Sequence, residues 1–459
     1  MAARAFIDPT RETQVTNQRR LLVALLCALG LIAASCGSDG ADDSGASSTD
    51  GDSSTNADSD SGSDTDAESD GDADGDGDSG SDSDNETDAD TGDAADTILI
   101  GAAIDLTANM APFDAPALTA AQITVDRING EGGVLGRQLE LVHVDTALDP
   151  DQTKSAAVDL LGQGADILMV TCDIDFATPA VQEGINAGVL TIAPCIGTDQ
   201  MGPSRFGDAG RLAFSLGNVA QDEGAALAEY AIDQNWETAI VVPDNLLVYF
   251  QDVCAAFTKR FEELGGSVVA TEGFASFDGS VNNLPTAVDS AGEADVIALC
   301  TFPPDIATAV GGIRGLGIDT PMLSPWSGDG TFWSAEDLDD FTFSTFASVF
   351  GDDPSAEVSA LVAEMDARGN PAGTGGFIVG AAAIETIAAA IEAVGSTDGA
   401  ALADYLEALS GLETTSGEIS FSPELHTVFG REYRMMKFEN GTPVFQELRA
   451  ATSPADIDG

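Results

Sequence analysis

From residue 98 onward the chain alternates between short unbroken apolar runs and longer stretches in which apolar side chains recur every three or four positions. The runs predict strands at 98–104, 139–144, 166–171, 190–193, 238–242, 268–271, 295–299 and 322–324. Between them the spacing predicts helices such as 117–128, where Leu118, Ala121, Val125 and Ile128 share one face, closed by a left-handed stop at Gly132-Gly133. Further helices are expected at 223–235, 356–367 and 377–394, and the tail from Glu418 reads as antiparallel strands and turns. Strands alternating with helices in this way predict an α/β fold of parallel sheets covered on both faces. Residues 97–459 exceed what one core usually supports, so two lobes are expected, the first ending near Gly217. In open sheets of this kind ligands bind at the carboxyl ends of the strands, where loops from the two lobes would face one another.

The N-terminus adds export. Arg19 and Arg20 precede 14 uncharged residues, Leu21 to Ala34, that end at Ser35-Cys36. A positive flank, a short apolar segment and small residues before a cut make a secretory signal. As a helix the run would reach about 21 Å, short of the roughly 30 Å hydrocarbon core, which argues against a transmembrane anchor. Ala33-Ala34-Ser35-Cys36 resembles a bacterial lipobox, which implies cleavage before Cys36 and a lipid on its thiol. Arg19-Arg20 lacks the rest of a twin-arginine motif, so the general secretory route is expected. Residues 37–96 then hold 22 acidic residues and no Lys, Arg or aromatic residue. Nothing there can bury enough apolar area to offset the entropy of ordering, and a disordered stalk is expected. The N-terminal organisation is therefore a signal peptide at 1–35 and a lipidated Cys36 with an acidic stalk over 36–96.

Charge excludes a class of partner. The chain carries −61 overall, and residues 97–459 alone contain 13 basic and 54 acidic residues, a net of −41. Such a body repels nucleic acid and anionic headgroups. The acid excess, with Lys154, Lys259 and Lys437 as the only lysines, suits a saline habitat as well as it suits a Lys-poor proteome.

Three segments carry a family resemblance: ILIGAAIDLT (98–107), RINGEGGVLGR (127–137) and ELVHVDTALDP (140–150). They resemble the opening of type I periplasmic binding proteins, in particular the Leu/Ile/Val-binding family of branched-chain amino acid ABC transporters. Gly188-Val189 before Ala193-Pro194, the helix 377–394 and Glu418 to Ser422 extend the match. The resemblance implies two doubly wound parallel-sheet lobes joined by a three-crossover hinge, with 97–217 and 348–417 in the first lobe and 218–347 and 418–450 in the second. It implies a monomeric extracytoplasmic protein that closes on an amino acid or related small polar solute and delivers it to a membrane permease. A ligand-sensing subunit of a signalling receptor is the alternative.

Carried over residue by residue, the family's pocket changes in this chain. The loop after the third strand, where the family offers small hydroxyl residues to the ligand carboxylate, reads Cys172-Asp173-Ile174-Asp175-Phe176. The loop after the fourth reads Cys195-Ile196-Gly197-Thr198 and keeps a Thr. Tyr249 fits an expected tyrosine, Phe302 stands at an aromatic position without its hydroxyl, and Trp326 stands near where an acid would receive the ligand ammonium. Phe113 takes the place of an aromatic at the side-chain end. The ligand-binding set implied is thus Phe113, Asp173, Phe176, Ile196, Thr198, Tyr249, Phe302 and Trp326. With Asp173 repelling an α-carboxylate, a cationic, neutral-amide or aromatic ligand is expected. The alternative for Phe113, Phe302 and Trp326 is core packing, and for Asp173 and Asp175 a solvated loop or a helix N-cap.

Cys27 leaves with the signal and Cys36 takes the lipid, so Cys172, Cys195, Cys254 and Cys300 allow up to two disulfides in an exported chain. Cys172 and Cys195 follow consecutive strands at the same sheet end and are the preferred pair, leaving Cys254 with Cys300. A zinc site would need close cysteine pairs or histidines, and only His143 and His426 exist; no metal or cofactor is expected. Enzyme constellations are missing too: there is no Gly-x-Ser-x-Gly elbow and no phosphate loop, so catalysis is not expected.

Overall fold

Unbroken apolar runs become the interior strands of two sheets, as burial on both faces requires. The computed structural model describes residues 97–333 and 338–457, so the signal, Cys36 and the stalk lie outside the described residues. In chain order, β1 (Ile98–Ile104), α1 (Ala111–Gly130), β2 (Leu139–Asp145), α2 (Pro150–Gly162), β3 (Ile167–Val170), α3 (Ile174–Ala187), β4 (Leu190–Ala193) and β5 (Ala213–Asn218) build the first lobe. The second lobe follows as α4 (Ala220–Asp233), β6 (Thr238–Pro243), α5 (Val248–Glu263), β7 (Ser267–Thr271), α6 (Leu284–Ala291), β8 (Val296–Cys300), α7 (Asp305–Gly315), β9 (Met322–Ser324) and β10 (Phe341–Thr345). The chain then returns through α8 (Ala356–Ala367), α9 (Ile378–Val394), α10 (Gly399–Glu407), the hairpin β11 (Leu412–Thr414) and β12 (Gly417–Ile419), and β13 (Thr427–Val428). It ends in β14 (Tyr433–Glu439) and β15 (Thr442–Arg449).

The first sheet runs β13-β5-β4-β3-β1-β2 and is parallel throughout. In the second, β15-β14-β10-β9-β8-β6-β7, the last two strands of the chain are antiparallel additions to a parallel core. Every residue of β3, β4, β5 and β8 is buried, whereas β7, at an edge, alternates between exposed and half-buried positions. The chain passes between the sheets three times, after β5, after β10 and after β13.

All eight expected strands form, with β5 added among them and β10 after the last. β5 and β10 carry Ser, Thr and Asn at positions that burial would normally deny to polar groups. Those side chains are spent on internal bonds: Ser215 Oγ donates to Ile196 O (2.7 Å), Asn218 Nδ2 to Arg431 O (3.2 Å) and Thr345 Oγ1 to Asp329 Oδ2 (2.6 Å). The tail from 418, assigned whole to the second lobe by sequence, divides instead. Thr427–Val428 pairs with β5 in the first sheet before the chain crosses, because Ser215 N donates to His426 O and Val219 N to Val428 O.

Two glycines explain close approaches. Gly133 sits at φ +76° in the turn after α1, where a Cβ would fall 1.9 Å from Arg137 O. Gly380 lets α9 settle onto α1, since a Cβ there would fall 1.9 Å from Ala117 O. The segment Gly375–Val394 is long and apolar enough to cross a membrane by composition, but most of it is buried in the first lobe's core.

Candidate ligand-binding cleft

On the first lobe the wall is built by buried aspartates at strand ends. After β1, Asp105 accepts from Thr107 N (3.1 Å), Ala108 N (2.8 Å) and Met110 N (2.8 Å), turning the chain into α1. Asp114, on α1, accepts from Asp105 N (3.0 Å), Cys172 N (2.9 Å) and Thr171 Oγ1, which fixes the loop after β3 against the helix. Burial pushes the Asp114 carboxyl up to about 8. Cys172 is joined to Cys195, with Cα atoms 4.8 Å apart, so the loops after β3 and β4 are tied together at the cleft. Asp114 lies within reach of both sulfurs, but each is already bonded to the other.

Asp173 is an N-cap. Its Oδ1 accepts from Asp175 N (2.8 Å) and Phe176 N (3.4 Å), and burial, with Asp175 beside it, pushes its carboxyl up to about 7. Asp175 in turn is paired with Arg205 (3.3 Å), which also donates to Gln200 (2.7 Å).

The second lobe answers with aromatic residues. After β6, Asp244 accepts from Leu246 N (3.0 Å), Ser276 N (3.0 Å) and Thr301 Oγ1 (2.8 Å), holding the loop that carries Tyr249 against the end of β8. Cys254 on α5 is bonded to Cys300 at the end of β8, two residues before Phe302. Trp326 follows β9; its ring meets Phe113 edge-on at 5.0 Å across the cleft and lies 6.4 Å from Tyr249. Phe250 packs on Phe302 (5.3 Å). At the lip, the exposed Phe277 stands edge-on to Phe302 and the exposed Phe332 edge-on to Phe113.

Seven of the eight residues singled out by sequence share one cavity: Phe113, Asp173, Ile196, Thr198, Tyr249, Phe302 and Trp326. Phe176 does not reach it; it lies in the first turn of α3 and packs against the core. The structure adds Met110, Gly197, Leu247, Phe250 and Ser327, and the bridged pair Cys172 and Cys195. The cavity has about 390 Å³ of empty space counting the part open to solvent. With the Phe113 and Trp326 rings in contact across it, the lobes must part to admit a solute.

An acid stands behind Trp326 after all. Glu223, on α4, accepts from Trp326 N (2.9 Å), Ser344 Oγ (2.7 Å) and Tyr249 Oη (2.6 Å) and is wholly buried. Burial pushes its carboxyl up to about 7 and, together with that carboxyl, drives the Tyr249 phenol well above its ordinary range. Glu223 positions two residues of the second lobe's wall without itself lining the cleft.

A family model described as periplasmic binding protein matches residues 97–443. The chain belongs to the periplasmic binding protein family. The family is one of non-enzymatic binding proteins that work outside the cytoplasm, and the periplasmic binding protein described here is one of them. It is 25% identical over 328 residues to a leucine-, isoleucine-, valine-, threonine- and alanine-binding protein of Pseudomonas aeruginosa, covering 71% of this chain and 86% of that one. A Leu/Ile/Val-binding protein of Rhizobium johnstonii is 25% identical over 359 residues, covering 76% and 94%. Among solved structures, the branched-chain amino acid transporter substrate-binding protein of Streptococcus pneumoniae in complex with isoleucine superposes with a TM-score of 0.68 at 22% identity, covering 77% of this chain and 100% of that one. An ABC transporter solute-binding protein from R. palustris in complex with benzoate does so with a TM-score of 0.66 at 19% identity, covering 79% and 98%.

Proposed function

We propose that this periplasmic binding protein is the solute-capturing subunit of an ABC transporter, holding an amino acid or related small polar or aromatic solute between its lobes and handing it to a membrane permease. One observation carries the reading: loops from the carboxyl ends of both parallel sheets converge on one cavity, and the sheets are linked by three crossovers about which they can part and close. Closure is then a population shift, driven by contacts a solute makes with both walls at once. Relatives whose names specify isoleucine, leucine or benzoate support a solute of that size. The signal-like N-terminus, Cys36 after Ala-Ala-Ser and the acidic stalk support export and a lipid tether.

A thermal-shift screen of the purified protein against amino acids, their amides, polyamines and aromatic acids tests the capture. A ligand at 100 times its dissociation constant should raise stability by about 2.7 kcal/mol. A flat response across the panel would count against the reading. The tether is tested separately: Cys36→Ala should move the exported protein from the membrane fraction to the soluble one.

A further inference from the structure

Two of the helices that begin at the cleft have amides at their N-termini engaged by the chain's own aspartates. At the start of α3, Asp173 Oδ1 accepts from Asp175 N and Phe176 N; at the start of α5, Asp175 Oδ2 accepts from Val248 N (3.4 Å). Helix N-termini are where a protein holds an anion without a side-chain cation. Here each meets an internal carboxylate. No Lys, Arg or His lines the cavity, and Arg205, beside this wall, is engaged by Asp175 and Gln200. The disulfide between Cys172 and Cys195 brings no donor to the place where two loops could have offered hydroxyls. A carboxylate entering this cleft would lose its water and gain no cation in return.

What the wall does offer is of the opposite kind. Asp173 Oδ2 makes no hydrogen bond among the described residues, and Asp173 is the one acidic side chain lining the cavity. The faces and edges of Phe113, Tyr249, Phe302 and Trp326 surround the same space. The indole Nε1–H of Trp326, a residue 95% buried, has no partner among the described residues, and a buried donor of this kind calls for an acceptor.

We propose that the cleft selects a cationic, carboxylate-free solute bearing a neutral oxygen, with its ammonium at Asp173, its oxygen at the Trp326 indole N–H and its apolar body among the rings. This rests on the reading of the protein as a solute-capturing subunit. An amino acid amide has all three parts; the parent amino acid adds a carboxylate for which the wall supplies no cation. Burial keeps Asp173 protonated up to about pH 7 in the free protein, and a cation seated beside it restores its charge. The rings add cation–π attraction.

The test is a titration at pH 7 of the full exported chain with matched compounds, read by calorimetry and by melting shift: L-leucinamide and L-phenylalaninamide, their parent amino acids, the corresponding amides without the amino group, and benzoate. The amino acid amides should bind at least tenfold more tightly than the parent acids and than the amides lacking nitrogen at the α-carbon. Asp173→Asn keeps a side-chain oxygen to cap α3, so it should retain its fold while losing the preference for the amino group. Trp326→Phe should keep the ring contacts and weaken binding of every amide. Tighter binding of leucine, phenylalanine or benzoate would overturn the ligand class and leave the capture reading standing. Silence from every compound, with both variants folded, would overturn the two together.

Discussion

Among the described residues, five carboxyl groups are walled off from water and held protonated far above the usual range: Asp114 up to about 8, and Asp173, Asp222, Glu223 and Asp329 up to about 7, in every case chiefly by burial. In the unfolded chain the same groups ionise near 4. The folded state therefore binds the extra protons between about pH 4 and pH 7 to 8, and stability must fall as pH rises through that window, by at most about 1.4 kcal/mol per group and unit. The melting temperature at pH 5 should exceed that at pH 8 when surface charge is screened by 1 M NaCl; a rise with pH would show that these acids are ionised in the fold. The candidate site was largely legible at this scale, because strand-end loops such as Cys195-Ile196-Gly197-Thr198 lie within a few residues of recognisable strands. Glu223 was not, because nothing local marks it: it lies 26 residues from Tyr249 and 103 from Trp326, and only the packing of α4 brings the three together. Asp173 was legible as a helix N-cap, which it is for α3, and the same residue lines the cleft.

Elements are held by two devices that substitution can separate. Gly380→Ala would drive a methyl into the backbone of α1 at Ala117 and should destabilise the protein by about 1–3 kcal/mol in urea unfolding, since neither helix backbone can yield cheaply. The Cys254–Cys300 bridge spans 46 residues, and replacing both by Ser should cost about 2–4 kcal/mol by the same measurement. Strand existence was readable wherever apolar runs were unbroken. It failed at β5 and β10, whose Ser, Thr and Asn resemble loop residues until their distant partners are known. The same limit applied to the tail, where two residues joining β5 carry too little pattern to reveal which sheet they serve.

On the scale of the whole molecule, a body with a net charge of −41 repels itself. Raising NaCl from 0.1 M to 2 M at pH 7.5 should raise the melting temperature by several degrees, as screening shortens from about 10 Å to under about 3 Å; a flat profile would mean that local ion pairs such as Arg434 with Asp353 (3.1 Å) already offset the repulsion. Lobe count and class were legible from length and alternation. The path between lobes was legible only through the family resemblance, because no local pattern states where a chain changes sheets. That path has a consequence for inheritance. Neither lobe is one uninterrupted stretch of sequence, so a single recombination event cannot transplant a lobe from one relative to another. A graft that is to change the first wall of the cleft and keep the second must exchange separate stretches of the gene together, and a protease that nicks one crossover leaves two others still binding the halves into one body.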